Sequence, residues 1–373
     1  MRILIVTDTF LPEINGAAIS IERSVQLLAK KYEIMIICPK YPHSFKDNTS
    51  HKLNKNITIV RISSIPLLSY TTVRISLPWF NGIKQKVNKF NPTIIHIHTP
   101  GTLGLYFLNR TWNCKKIATF HTLLTEQVKY VWKGPSRFLE MIIWKGLIKY
   151  YNKADCIITP STIIKKLILE KGIKKPIDVV SNGITKHIPK KDYSINNSLL
   201  HFGRISYEKK IDVLLKAMRL VKKKIPNILL TIIGDGPDKN RLIGIVKKLK
   251  LEKNVTFKGW IPNKELNQEI LHYDAFVTSS TMETQGIALL ESMASGLPVI
   301  GVKKYAIPEL IKYNNIQNGF LVEPDNPKQF ANAIITLLTT NKQKEFGKNS
   351  IKIAQQHDIY KIIKQLEKLY ALN

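Results

Sequence analysis

Short apolar runs alternate with longer segments of helical spacing along almost the whole chain. Runs at 2–7, 33–38, 57–62, 94–97, 116–120, 156–159 and 177–180 are rich in Ile and Val and read as β-strands. Between several of them, segments such as 19–31 and 162–171 repeat apolar residues every three to four positions, the period of a helix with one buried face. The strand runs are continuous rather than alternating, which points to strands covered on both faces and so to parallel sheet. The pattern then restarts, with runs at 199–202, 228–233, 255–258, 275–278, 299–302 and 320–322. Two successive βα series predict an α/β protein of two doubly wound, Rossmann-like domains. The boundary is expected in the polar segment 184–198, which holds Pro189 and the pair Asn196-Asn197. It is drawn so that residues 1–187 form the first domain and 188–357 the second. A last helical segment, 358–373, has no strand after it and is expected to pack back on the first domain.

Composition agrees with two packed cores. The chain has 373 residues, 44% of them apolar and 23% charged, which excludes intrinsic disorder. No apolar run approaches the roughly 18 residues of a membrane span. The opening Met-Arg-Ile-Leu-Ile-Val-Thr-Asp reads as a first strand rather than a secretory leader. Cys38, Cys114 and Cys156 are odd in number, far apart and outside metal-ligand spacing, so a reducing compartment is expected.

Charge changes the picture more. The net charge is +30, and residues 1–200 carry 30 basic against 11 acidic side chains. Within 51–153 the count is 16 against 2. A chain generally rich in Lys, Ile and Asn accounts for part of this excess, but less well for its concentration in the first half. Such a field attracts nucleic acid, anionic lipid headgroups or phosphorylated substrates. No nucleic-acid-binding motif is present, nor are aromatics interleaved with a basic platform, so nucleic acid is not expected as a partner.

Chemistry is best sought where strands end. The run 199–202 leads into Gly203-Arg204-Ile205-Ser206-Tyr207-Glu208-Lys209-Lys210. Arg204 offers a planar fork of donors and Lys209 a mobile point charge, a pair suited to a diphosphate, although an ordinary basic loop would also look like this. After the run 275–278 come Glu283-Thr284-Gln285-Gly286 and, eight residues beyond Glu283, Glu291. Gly286 allows close backbone approach, and a helix starting there would present unpaired N–H groups to an anion or to sugar hydroxyls. Glu283 and Glu291 lie about two helical turns apart, so both carboxylates can serve one side of a site. Helix-start acids favoured by the dipole are the plainer alternative. His96 and His98, two apart on a strand, face the same way, with His121 near them. A zinc site would need further ligands at sensible spacing, and none is seen. Gly234-Asp235-Gly236-Pro237 reads as a strand-end turn.

Taken together, Gly203-Arg204 with Lys209, the Glu283/Glu291 pair, and Met293-Ala294-Ser295-Gly296-Leu297-Pro298 resemble the fourth sequence family of glycosyltransferases. In the first half, Asp8-Thr9-Phe10-Leu11-Pro12 with Asn15-Gly16, His96-Ile97-His98-Thr99-Pro100 and Thr119-Phe120-His121-Thr122 are similar to landmarks of the same family. The resemblance runs from residue 1 to about residue 325. It implies a retaining, nucleotide-sugar-dependent enzyme of the two-Rossmann GT-B fold, with no metal or other cofactor. It further implies that Arg204 and Lys209 hold the donor diphosphate, that Glu291 binds the ribose, and that Glu283 with the N–H groups of Thr284, Gln285 and Gly286 holds the transferred sugar. Gly16 would bring a backbone N–H to the phosphates, and His121 would contact the sugar near the reacting carbon. Lys210 departs from the glycine that many relatives carry. UDP-glucose is the donor expected by family weight.

The form Glu283-Thr284-Gln285-Gly286 is similar to that of the branch that glycosylates diacylglycerol. A lipid acceptor and an anionic membrane surface are therefore the expected partners, with the protein peripheral on the inner face of the cell membrane. Residues 138–151 mix aromatics, aliphatics and lysines at helical spacing, as either an interfacial helix or a core helix would. A saccharide acceptor, or sugar-nucleotide binding without catalysis on the same fold, stands as the alternative.

Overall fold

The computed structural model describes residues 1–42, 53–67, 70–80, 82–131 and 137–371. The end of the expected last helix, Leu372-Asn373, and parts of the basic stretch 51–153 lie outside the described residues. The chain divides into two compact units, one made of Met1–Gly183 with Ile359–Asn373 and the other of Ile184–Asp358.

The first unit contains β1 (Arg2–Val6), β2 (Glu33–Pro39), β3 (Ile57–Ile62), β4 (Ser64–Leu67), β5 (Tyr70–Ser76), β6 (Ile94–Ile97), β7 (Lys115–Thr119), β8 (Cys156–Thr159) and β9 (Ile177–Val179). Seven of these form a parallel sheet in the order β3-β2-β1-β6-β7-β8-β9, and β4 pairs with β5 as a separate antiparallel hairpin. β1 and β6 are buried along nearly their whole length, as continuous Ile/Val runs require. The hairpin was not expected from the sequence. The last helix, Ile359–Ala371, turns Ile359, Ile362, Ile363, Leu366 and Tyr370 into the core around β1 and β2.

The second unit contains β10 (Ser198–Phe202), β11 (Leu229–Ile233), β12 (Val255–Gly259), β13 (Ala275–Thr278), β14 (Val299–Val302), β15 (Lys312–Tyr313), β16 (Ile316–Gln317) and β17 (Gly319–Val322). Its parallel sheet has the order β12-β11-β10-β13-β14-β17, and β15 and β16 form a small antiparallel pair. The unit starts at Ile184 rather than at residue 188. Ile184 is 3% exposed within the second core, and His187 is buried with Nδ1 3.3 Å from Ser295 Oγ. Lys190 Nζ donates to the Tyr273 carbonyl at 2.6 Å. These polar residues read as linker in the sequence, but partners far along the chain bind them to the second sheet.

Each sheet has one point where strand order reverses, between β1 and β6 in the first and between β10 and β13 in the second. Such points, beyond the carboxyl ends of the strands, are where open α/β sheets bind ligands.

Candidate active site

The residues singled out by sequence lie at or next to the carboxyl ends of strands near these two points. Arg204, Lys209, Glu283, Thr284, Gln285, Gly286 and Glu291 belong to the second unit, and Gly16 and His121 to the first. Each set is described in its own unit.

In the second unit, Gly203 follows β10 and its N–H donates to the Ile233 carbonyl at 3.0 Å. The neighbouring turn after β11 packs directly on this loop. A Cβ added to Gly234 would lie 2.0 Å from the Gly203 carbonyl oxygen, so no larger residue fits. That close fit is the role of the Gly234-Asp235-Gly236-Pro237 turn. Arg204 is half-buried just beyond. The loop then joins the one leaving β13. Ser279 Oγ donates to the Lys209 and Lys210 carbonyls at 3.0 and 2.8 Å, and Thr281 N–H donates to the Glu208 carbonyl at 3.3 Å.

Across this join Lys209 Nζ meets Glu283 Oε1 at 2.6 Å, with side chains 23% and 19% exposed. Burial opposes charge on both groups, but each finds its counter-ion. The Lys209 ammonium and its hydrogen bond hold Glu283 below the usual carboxylate range, and the Glu283 carboxylate holds Lys209 above the usual amine value. Both are charged at neutral pH. The Glu283 carbonyl accepts from Ala306 N–H at 3.2 Å, fixing the backbone beneath the pair.

Gly286 precedes the helix Ile287–Ala294 with φ 90°, a left-handed geometry that glycine adopts without strain. The first N–H groups of that helix have no intrahelical acceptor, and Glu291 sits one turn along it, 9% exposed. Gln285 is buried, and its Nε2 donates to His357 Nδ1 at 3.4 Å. Thr284 is half-buried. Arg204, Lys209 and Glu283 thus sit on the two loops that leave adjacent strands of one sheet, and Glu291 on the helix that the second loop starts.

In the first unit, Gly16 is exposed at the start of the helix Gly16–Leu28. The preceding loop is held by a chain of hydrogen bonds. Asn15 Nδ2 donates to Thr9 Oγ1 at 2.7 Å, Thr9 Oγ1 to Glu13 Oε2 at 3.0 Å, and Tyr41 Oη to the same Glu13 oxygen at 2.9 Å. Asn15 also caps the helix by accepting from Ala18 N–H at 2.9 Å. Asp8, not a candidate by sequence, ties this loop to the one after β6. It accepts from Thr99 and Thr102 hydroxyls and from Leu103 N–H. Burial nevertheless raises its pKa to about 6. A carboxyl just past the first strand is a signal the sequence did contain.

His121 lies just past β7, and His98 just past β6. His98 Nδ1 and His121 Nε2 are 3.0 Å apart. His96 is buried beneath them, its Nδ1 2.7 Å from Tyr370 Oη and its Nε2 2.7 Å from Thr119 Oγ1. Burial lowers His96 to about 3 and His121 to about 4, and it holds His98 well below the ordinary imidazole value. All three rings are therefore neutral at pH 7. Both nitrogens of His96 are taken by hydroxyls, which makes it a structural residue. Among the described residues, no three His, Cys, Asp or Glu side chains come together as a metal-binding group.

Similarity to known proteins identifies the family of the chain. The profile for Glycosyl transferases group 1 matches residues 186–353, and that for Glycosyltransferase Family 4 matches residues 14–186. The alpha-monoglucosyldiacylglycerol synthase of Streptococcus pneumoniae is 30% identical over 323 residues, spanning 80% of this chain and 70% of the relative. The chain is a group 1 glycosyltransferase. The enzyme is also 28% identical to the alpha-monoglucosyldiacylglycerol synthase of Acholeplasma laidlawii, over 96% of its own length and 89% of that protein. Among solved structures, Anabaena HepE in complex with UDP and glucose superposes with a TM-score of 0.78 at 19% identity, covering 100% of both chains. At that identity the likeness establishes the fold, which is GT-B. The transferase thus carries, on a two-unit α/β scaffold, polar groups at the reversal point of each sheet.

Proposed function

We propose that the transferase moves glucose from UDP-glucose to a diacylglycerol-type lipid at an anionic membrane surface, with retention of configuration and without a metal or other cofactor. The observation that carries the reading is that Arg204, Lys209 and Glu283 lie on the loops leaving the adjacent strands β10 and β13, with Glu291 on the helix that follows β13. In this reading Arg204 and Lys209 take the diphosphate and stabilise the charge that grows on it as the glycosidic bond breaks, the stage at which electrostatic help lowers the barrier. Glu291 accepts from the ribose hydroxyls. Glu283 and the N–H groups of Thr284, Gln285 and Gly286 hold the hexose. Gly16 and His121 keep the roles that the family resemblance gives them. The relatives from Streptococcus and Acholeplasma are named for an α-glucosyl lipid, the product that retention from α-configured UDP-glucose would give.

Support for the surface comes from the helix Arg137–Tyr151. Its inner face buries Trp144, Leu147, Tyr150 and Tyr151. Its outer face exposes Phe138, Met141 and Ile142 at 67%, 44% and 47%, with Lys145 and Lys149 continuing the same stripe. An apolar tip followed by lysines suits a headgroup boundary. Among the described residues no helix is long and apolar enough to cross a membrane.

The test is a donor-hydrolysis and transfer screen over UDP-glucose, GDP-mannose and UDP-N-acetylglucosamine, with anionic or neutral vesicles and with or without diacylglycerol. UDP release is expected to be fastest from UDP-glucose, stimulated by diacylglycerol and unaffected by a chelator. Binding to anionic vesicles is expected to weaken as salt shortens the screening length below about 10 Å. Transfer only to a saccharide, or equal retention on neutral and anionic vesicles at all salt concentrations, overturns the lipid part of the reading.

A further inference from the structure

We infer that His98 is a positioning residue that fixes the orientation and the tautomer of His121. The inference rests on the proposed role of His121 at the donor sugar, but its geometry stands apart from any substrate. Parallel pairing of β6 with β7 puts Ile97 beside Ala118, so the residues that follow each strand leave the sheet side by side. The His98 and His121 rings lie at 18° to one another with centroids 5.3 Å apart, and Nδ1 of one is 3.0 Å from Nε2 of the other. That distance is a hydrogen bond.

His98 is itself held from below. Its ring packs on that of His96, centroid to centroid 3.9 Å, and hydroxyls of Thr119 and Tyr370 anchor both nitrogens of His96. His98 is 8% exposed, and its backbone N–H donates to the Val6 carbonyl at 2.9 Å. The side chain therefore has a fixed support and a fixed backbone, which is what a residue must have to orient another.

The bond also constrains protons. An N–H···N contact between two neutral imidazoles holds one proton. If His98 Nδ1 carries it, His121 must be protonated on Nδ1; if His121 Nε2 carries it, His98 must be protonated on Nε2. The two rings thus share one tautomer. Mixed pairs would place two protons, or two lone pairs, face to face. His98 in this way determines which kind of nitrogen, donor or acceptor, His121 keeps at Nδ1, a control commonly exerted on functional histidines by the partner of the other ring nitrogen.

The test uses the full-length enzyme with 15N-labelled histidine. NMR of the substrate-free protein is expected to show His98 and His121 in the same tautomer, with a scalar coupling between His98 Nδ1 and His121 Nε2 through the hydrogen bond. His98→Leu is expected to lower kcat by about tenfold or more while leaving UDP binding unchanged, because misplacement of a positioned group costs rate rather than nucleotide affinity. His98→Asn, whose amide offers a donor and an acceptor near the position of Nδ1, is expected to restore most of kcat. Opposite tautomers in the wild type, absence of the coupling, or equal kcat in the Leu and Asn variants overturns the inference. The wild-type NMR result does not depend on variant folding. It is also independent of the donor and acceptor, so a failure of the proposed glucosyl transfer leaves it readable.

Discussion

At the ends of β6 and β7 burial keeps imidazoles uncharged, whereas at the ends of β10 and β13 charge survives burial. Three imidazoles in the first unit are held neutral, and Asp8 is pushed up to about 6 although three donors surround it. In the second unit Lys209 and Glu283 are shielded too, yet both stay ionised because each lies 2.6 Å from its counter-ion. The same fold thus offers two kinds of polar loop. One centres on neutral imidazoles whose hydrogen-bond directions matter. The other is built from fixed charge, whose strength depends on pairing.

The largest break in this comparison is Glu283→Gln. It leaves the Lys209 ammonium partly buried without its counter-ion. Removing one member of a buried pair costs more than an exposed pair is worth, and here about 2 kcal/mol of stability is expected to be lost. Turnover is expected to fall at least about tenfold, which corresponds to about 1.4 kcal/mol of barrier. The pH dependence follows from the direction of the Glu283 shift. A carboxyl held below its ordinary value contributes stability that is present above the unfolded value of about 4.3 and is lost as pH falls through the native one. Urea unfolding of wild type and variant should therefore differ by a constant amount near neutrality and converge only below about pH 4. Convergence already at pH 6 would show that Glu283 is not held low.

A smaller break concerns the neutral loops. Tyr370→Phe removes the hydroxyl 2.7 Å from His96 Nδ1 and leaves that nitrogen buried without a partner. The expected cost is about 1–2 kcal/mol, read by urea unfolding. A smaller loss is expected from Lys31→Ala, since the ammonium that meets Glu367 at 3.0 Å belongs to a side chain 65% exposed.

The contrast between the loops shows what the chain discloses before folding. The main-sheet strands among the described residues were legible because most are short apolar runs set between helical segments, with burial on both faces at the centre of each sheet. The hairpin β4–β5 was not legible. Pro66 interrupts its first strand, and Arg74 looks solvent-facing in the second until Ser64 is placed against it, accepting at 3.1 Å through Oγ and at 2.6 Å through its carbonyl. The start of the second unit was read late for a similar reason. His187 and Lys190 look like linker, and their partners Ser295 and Tyr273 lie far along the chain. At the site, the residue types after each strand were visible. Their pairing was not: nothing local links Lys209 to Glu283, or shows that Tyr370 and Thr119 take up His96 and leave His98 to hold His121.

The smallest and most local test lies beside the ion pair. Lys210 has φ 52° and ψ 34°, so an ordinary side chain occupies left-handed backbone at the turn into the helix Ile211–Lys222. That geometry costs a non-glycine residue about 1–2 kcal/mol, whereas glycine adopts it freely at a backbone-entropy cost of about 0.5–1 kcal/mol. This gives a physical reason for the glycine that the family resemblance leads one to expect here. The Lys210 ammonium does reach Asp325 at 3.4 Å, but the carboxylate side chain is 59% exposed, and such pairs contribute little. Lys210→Gly is therefore expected to stabilise the second unit by about 0.5 kcal/mol, measured by urea unfolding. It is also expected to leave donor hydrolysis near the wild-type rate, since Ser279 Oγ holds the loop through the backbone carbonyls of residues 209 and 210, which the substitution keeps. A loss of stability would mean that the charge of Lys210 outweighs its strained backbone. The second unit would then depend on net attraction even at its exposed rim, and the distinction between paired and merely present charge would have to be redrawn.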